Sequence, residues 1–503
     1  MKYYLFLLVL MSVTVEGQTL DCNNTPERSL VGATILGNGS PGSVSTGMIQ
    51  NALNAGGNIR FNLGATPTTI NLTTQLLVTR NTVIDGGGLV TLNAQSNQRI
   101  FRIDNPNNLQ YTFTVQNITL TGGDTPTESG AAIFKPSGGP WQAVSLEVIN
   151  TRFNDNHAIQ VEQDGGGGAI YAIGMKDIFI SDAIFENNSG SNGGAFYSLG
   201  SDNIRITNSI FDGNAATGNN GNPGNGGNGG AIGVDGAERS ISICRTQIIN
   251  NTANAFGVGF FSVMYDQQSL TAFSDSTFRN NINPNDFGLG GGAYIQGGPF
   301  FIQKSSFIEN EARGAGGIFF GPNANGDMIN STVYGNIATN TLGGGFSIDG
   351  SAAVNFNHLT IMNNQAPCGV CFAGGISVFS PNQVTLNNSI IANNTGGNAF
   401  NAWNILSTVA GGNNLQYPQQ RPNGGAETPA TASLIWGDPQ ASPPADNGGF
   451  TETLAIASGA PGINQANASN TTAADQRGIS RFQGSDIGAY ERVTDLIFAN
   501  SFE

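Results

Sequence analysis

Histidine is almost missing from this 503-residue chain and charge is sparse: there are two histidines, and Asp, Glu, Lys and Arg together make up 11% of the residues. His157 and His358 fall in distant repeats of the pattern described below, which argues against a Ser-His-Asp triad and against a histidine metal site. Lysine and arginine number 19 against 34 acids, for a formal net charge of −15, so nucleic-acid binding through phosphate contacts is disfavoured. Beyond the amino-terminal run no stretch is long and apolar enough to cross a bilayer as a helix. The run Gly224 to Gly229 has the letters of a dinucleotide fingerprint but lies in a long loop without a βαβ setting, and no cofactor is expected. Helical spacing and leucine-rich spacing are both lacking through the middle of the chain, which removes helical and leucine-rich solenoids.

What the chain does have is glycine, 71 residues of it, and a repeat. Nine times an apolar residue is followed three positions later by asparagine: Phe153/Asn156, Phe185/Asn188, Phe211/Asn214, Ile248/Asn251, Phe278/Asn281, Phe307/Asn310, Val333/Asn336, Ile361/Asn364 and Ile391/Asn394. Successive anchors are 32, 26, 37, 30, 29, 26, 28 and 30 residues apart, the length of one supersecondary unit. Seven repeats add a glycine pair followed by an apolar residue, such as Gly193-Gly194-Ala195 and Gly316-Gly317-Ile318. From asparagine to glycine pair the distance swings from 5 to 15 residues, whereas from the pair to the next anchor it stays at 16 to 19 outside the irregular fourth repeat. Length variation is therefore confined to one corner of the unit.

The constant part alternates, as in Ile204-Arg205-Ile206 and Ile241-Ser242-Ile243, and a period of two means strands. Several short strands per coil, stacked on their counterparts in the next coil, describe an all-β solenoid, a parallel β-helix of roughly a dozen rungs and about 60 Å. At a bend asparagine tolerates left-handed backbone angles, and stacked amides bond along the axis as a ladder. The repeated Asn and Gly are therefore read as architecture.

At the amino end Lys2 precedes the apolar run Tyr3 to Val15, and residues 1–17 read as a signal peptide cleaved near Gly17. Cys22 is not read as a lipid-anchor site, because Asp21 stands where a small residue is needed. Of the exported cysteines, Cys368 and Cys371 in one corner loop are read as a local disulfide, while Cys22 and Cys244 are left open. Residues 18–65 are expected to cap the solenoid, with a short helix over Thr46 to Ala55 stopped by Gly56-Gly57. The β-helix is placed at 66–415, a closing module at 416–492 and a tail at 493–503.

Asn447-Gly448-Gly449-Phe450-Thr451, Asp475-Gln476-Arg477-Gly478 and Asp486-Ile487-Gly488-Ala489-Tyr490-Glu491 together resemble the terminal module of bacterial choice-of-anchor Q proteins. The resemblance implies a right-handed parallel β-helix like that of pectate lyases and a secreted or surface-held bacterial protein; it implies no activity. The ending from Leu496 is similar to a tail on exported gammaproteobacterial proteins and is a sorting-signal candidate.

An enzyme on such a scaffold needs convergent acids. Glu186 and Asp212 occupy the same place on neighbouring rungs, one position after the anchor, with Asp155 near them. The equivalent places further on, Ile249, Arg279, Ile308 and Tyr334, supply no convergent Lys or Arg. The acids therefore read as solvated corner carboxylates or a weak calcium site, and no catalytic, cofactor-binding or metal residue is assigned. Tyr171, Phe196, Phe260, Tyr294, Phe319 and Phe346, just after the glycine pairs, are expected in a stacked core column. In the last module Arg477, Arg481, Asp486 and Glu491 are expected to pair internally. The expected function is contact with an extracellular glycan or surface polymer, as a monomer, through corner loops stacked along one edge of a rigid rod. The alternative is a polysaccharide lyase or glycoside hydrolase acting on uronate-type polymers.

Overall fold

Between Asp177 and Asn203, which lie in register one coil apart, the chain makes one full turn. Strand Asp177–Ser181 bends at Asp182 into Ile184–Glu186, rounds a corner at Asn187 and Asn188 into the short Ser189–Gly190, and returns through Phe196–Leu199. Each segment pairs in parallel with its counterpart in the next coil: Phe185 with Phe211, Phe196 with Ile232, Ile204 with Ile241. This computed structural model describes residues 20–221, 224–236, 240–481 and 484–493. Both the expected signal peptide at 1–17 and the tail from Leu496 lie outside the described residues. From Thr34–Leu36 onward the coils form a nearly all-β parallel solenoid of about 14 turns. Sheet 1 has 24 strands and takes two from most coils, sheet 2 has 11 strands and takes one, and short two-residue strands line the corner between them.

Alternation sends one side chain in two to the axis, and the inward set forms one continuous apolar column. Stacking holds like on like: the rings of Phe153 and Phe185, and of Phe185 and Phe211, lie parallel with centroids 4.5 Å apart. At the corner each buried asparagine repeats the same bonds. Asn188 Nδ2 donates to Asn214 Oδ1 at 2.9 Å and Asn214 Nδ2 to Asn251 Oδ1 at 3.0 Å, and the series runs without a break from Asn156 to Asn394. A tenth member, Asn404, ends it by accepting from Asn394 Nδ2 at 3.0 Å. The nine-fold motif misses Asn404 because it follows Asn394 on the same coil, where the chain enters sheet 2 beside Ile376, and has Asn401 in place of an apolar anchor.

A second ladder, made of hydroxyls, holds the bend inside sheet 1. The backbone N–H of Ser209 donates to Thr246 Oγ1 at 3.4 Å, that of Thr246 to Ser276 Oγ at 3.2 Å, and that of Ser276 to Ser305 Oγ at 3.3 Å. The residues just before it, among them Asp182, Asn208, Arg245, Asp275 and Lys304, all have positive φ. The glycine pairs carry a register shift. Gly167, Gly193 and Gly229, first of their pairs, hold the left-handed position, but in later coils it passes to the residue before the pair, Gly290, Ala315, Gly343 and Ala373. This one-residue slip accounts for part of the spread of 16 to 19 residues from pair to anchor.

The helix Thr46–Ala55 forms where the spacing predicts it, its start capped by Ser45 and Ile49, Ala52 and Leu53 turned to the core. Ahead of it the chain does something the capping idea does not anticipate: residues 21–28 run back along the outer flank of sheet 1. Asp21 pairs with Arg205, Cys22 is bonded to Cys244, Asn24 Nδ2 donates to Asp182 Oδ2 at 2.7 Å, and Arg28 Nε reaches Glu147 Oε2 at 2.7 Å. The carboxyl module covers the rest of the same flank. Phe450 lies under the guanidinium of Arg245 at 4.4 Å, Gln476 bonds Thr332 Oγ1 at 2.7 Å, and Gly488 bonds back to Asn388 at 2.8 Å. Inside it Arg477 pairs with Asp475 at 2.8 Å and Arg481 with Glu491 at 2.9 Å. The module is thus a lateral cover rather than an axial plug.

Candidate functional site

The six aromatics after the glycine pairs do not form one column. Phe196, Phe260 and Phe346 are in register with Ile232, Ala293 and Ile376 and face the axis, as expected. Tyr171, Tyr294 and Phe319 are one residue further along and point outward from sheet 2, in a row with Tyr197 and Phe261. The one-residue slip of the glycine motif hides this, because a shift of one position exchanges the faces of a strand. The outward row is nevertheless buried, since corner-loop residues such as Phe256 and Leu289 fold over it. Part of the corner thus serves as a lid on sheet 2.

Where the lid stops, sheet 2 opens into a groove of about 500 Å³ lined by Trp141, Gln163, Asp164, Leu199, Asp235 and Tyr265, with Gly200 and Gly236 in its floor. Trp141 belongs to the turn after Ile133–Lys135. Lys135 is buried, and its ammonium group holds that turn by donating to Pro136 O at 2.5 Å and Gly138 O at 3.1 Å; burial pushes its pKa down. The indole then lies across two coils. A Cβ on Gly174 would stand 2.6 Å from Cε3 of Trp141, and one on Gly200 would stand 2.7 Å from its Cζ2. Only glycine allows that approach, and the ring's other face is open, with Trp141 56% exposed.

Tyr265 stands at the far end, 64% exposed, its backbone N–H bonded to Gly236 O at 2.9 Å. The upper rim is fixed by Tyr171, whose hydroxyl donates to Asp164 O at 2.7 Å and whose pKa burial raises. A flat aromatic ring at each end, a low floor between, and carboxylate and amide groups at the rim make a surface for a ligand with apolar faces and many hydroxyls.

The acids singled out from sequence do stack, Glu186 in register with Asp212 and Asn154 with Glu186. The expectation that no basic residue converges on them is corrected: Arg152, two residues before Asn154, pairs with Glu186. Sequence spacing from the anchors compared only positions one after the anchor, and Arg152 precedes it. Asp212 accepts from Asn250 Nδ2 at 2.8 Å, and Asp155 from Asn154 Nδ2 at 2.6 Å. Such paired carboxylates leave no acid and base poised across a bond.

One juxtaposition escaped the sequence. Asp124, His157 and Ser189 sit one above another on three coils, and His157 Nδ1 is 2.8 Å from Ser189 Oγ. It is not a triad: Gln160 Nε2 also donates to Ser189 Oγ at 3.2 Å, and among the described residues no carboxylate pairs with the ring. His358 is buried beneath the carboxyl module, with Nδ1 3.3 Å from Gly488 O. Cys368 is bonded to Cys371, holding Val370 out at the last corner. Among the described residues no group of three or more His, Cys, Asp or Glu side chains comes together to hold a metal ion, and no helix is long and apolar enough to cross a membrane.

No known protein family matches the chain, and no curated protein sequence does. Solved structures do. The chain is similar to PfbA, a surface adhesin of Streptococcus pneumoniae, at 12% identity and a TM-score of 0.36, over 80% of this chain and 91% of that one. It is also similar to tailspike protein 3 of bacteriophage CBA120, at 11% identity and a TM-score of 0.37, over 80% of this chain and 61% of the tailspike. Superpositions this loose transfer neither a ligand nor an activity.

Proposed function

We propose that this chain is an exported cell-surface or secreted β-helix protein that holds a polysaccharide against the outer face of sheet 2. The observation carrying the reading is the indole of Trp141, spread over Gly174 and Gly200 with its outer face open and Tyr265 opposite. A pyranose ring has an apolar C–H face that packs on such a platform and a hydroxyl edge that bonds carboxylates and amides. Two disulfides, Cys22–Cys244 and Cys368–Cys371, suit an oxidising compartment, which together with the apolar run Tyr3 to Val15 supports export. The module at 416–492 is read as of the choice-of-anchor Q kind. It and the amino-terminal strap shield one flank of sheet 1, which leaves sheet 2 as the working side of a monomer. The lyase or hydrolase alternative gains nothing from Glu186 and Asp212, since Arg152 neutralises the first and Asn250 bonds the second.

The test is retention. Mature protein is mixed with insoluble cellulose, mannan, chitin and cross-linked pectate, and the bound fraction is measured beside Trp141→Ala and Tyr265→Ala. Retention on at least one polymer, lost in both variants, supports the reading; retention on none, or retention indifferent to both changes, overturns it.

A further inference from the structure

We infer that the ligand of this groove is an uncharged, polyhydroxylated sugar chain lying parallel to the solenoid axis, with the exposed carboxylate of Asp164 accepting hydrogen bonds from its hydroxyls. The inference rests on the polysaccharide-contact reading and narrows it to a chemical class and a direction.

Direction comes from the register of sheet 2. Leu199, Asp235 and Val263 form one outward row on three successive coils, so Gly200 and Gly236, which follow the first two, and Met264, which follows the third, mark three levels of the groove floor. Trp141 covers the levels of Gly174 and Gly200, and Tyr265 follows Met264. Open floor between the two rings therefore spans two coil spacings, ~10 Å along the axis. That is room for a di- or trisaccharide with its end rings on the aromatics. A chain crossing the sheet instead would meet the buried row of Tyr171, Tyr197 and Phe261 under the lid on one side.

Class comes from the polar groups. Among the described lining residues, Asp164 and Asp235 are the two that carry formal charge, and both are acids. A carboxylate only accepts, and sugar hydroxyls are donors that the exposed Asp164 can take. Gln163 adds an amide beside them. A uronate would bring its own carboxylate against Asp164, in a chain whose net charge of −15 already repels polyanions at longer range.

Calorimetric titration of the full mature chain with cellohexaose, mannohexaose, N-acetylchitohexaose and hexagalacturonate tests both parts. At least one neutral hexamer is expected to bind, with hexagalacturonate at least tenfold weaker at low salt and Asp164→Asn narrowing that gap. Trp141→Ala is expected to weaken the neutral hexamer at least tenfold. The disaccharide, trisaccharide and tetrasaccharide of the same series should gain affinity up to the trisaccharide and little beyond. If hexagalacturonate binds more tightly than every neutral hexamer and loses that binding in Trp141→Ala, the ligand class is wrong while polysaccharide contact stands. If none of the four binds in a Trp141-dependent way, both fall. Circular dichroism of each variant shows whether the solenoid is intact, and because Asp164 is exposed its substitution reads on binding rather than on folding.

Discussion

Trp141 and Gly200 are in contact across two separate turns, so close that any side chain at 200 would drive into the indole, 2.7 Å from Cζ2. Gly200→Ala is therefore expected to lift Trp141 from its seat. Its backbone φ of 60° adds a cost of about 1–2 kcal/mol for a non-glycine residue. Retained polysaccharide should fall at least tenfold while the far-ultraviolet circular dichroism stays that of the wild type. Unchanged retention would mean that the indole does not need this seat to work.

The ladder makes a sharper claim about stability. Asn251 accepts from both Nδ2 and the backbone N–H of Asn214, at 3.0 and 2.9 Å, and gives to Asn281 Oδ1 and Phe211 O, at 2.9 and 3.0 Å. Asn251→Ala strands two buried donors on Asn214, each costing roughly 1–3 kcal/mol. A loss of about 3 kcal/mol or more is expected. The neighbouring Asn250→Gly, which removes an exposed bond to Asp212 at a left-handed position that glycine adopts freely, should cost about 1 kcal/mol or less. Chemical denaturation of the two variants compares them directly. Because solenoids unfold coil by coil, hydrogen exchange at Asn214 and Asn251 locates the loss.

Cys22 and Cys244 tie a strap across 222 residues of sequence, and in a chain-entropy picture such a closure is worth up to about 5 kcal/mol. Cys22→Ser is expected to free the strap while sparing the coils, because the strap's remaining ties are a few hydrogen bonds, such as Asn24 to Asp182, and exposed or half-buried ion pairs of small value, such as Arg205 with Asp21. Trypsin should then cleave after Arg28 much faster than in the wild type. Equal cleavage rates would show that side-chain contacts alone hold the strap.

His358 gives the pH dependence a direction. Burial, with the Arg481 guanidinium nearby, pushes its pKa down to about 3 from 6.5. Above pH 6.5 the ring is neutral folded or unfolded and nothing changes. Below it the unfolded chain binds a proton that the native chain refuses, so stability falls with pH by up to ~1.4 kcal/mol per unit. Burial also raises the carboxyl pKa of Asp486 and Glu491, which opposes this in wild type and variant alike, so the histidine's share is the difference from His358→Asn between pH 6.5 and about 5. Thermal melts of wild type and His358→Asn over that window are expected to diverge, the wild type losing more. Parallel curves would place the histidine in water.

Repetition made most of the architecture readable. Nine asparagines at matching places specify the ladder, because a buried amide column needs one member per coil and leaves the same mark each time. Features that occur once left no such mark. The strap at 21–28 has no repeat to betray it, and Arg152 lies outside the column of compared positions. The groove is harder still, since Trp141, Asp164, Gly200 and Tyr265 come from four different segments and only coil stacking brings them to one place. The glycine motif even misdirected, because its one-residue slip merged two faces of sheet 2 into one apparent column. The signal that was available was small: glycine at both 174 and 200, just after the outward residues Ile173 and Leu199, which the left-handed turn there accounts for without any contact.

Which side of the rod touches its partner is the question that decides the rest. Hydroxyl-radical footprinting, with and without a saturating oligosaccharide from the polymer best retained by the wild type, reads exposed aromatics side by side. Protection is expected at Trp141 and Tyr265, with Phe400 and Val370 at the distant corner still fully reactive. Protection confined to Phe400, Val370 and their corner loops, with Trp141 as reactive as before, would contradict a working face on sheet 2.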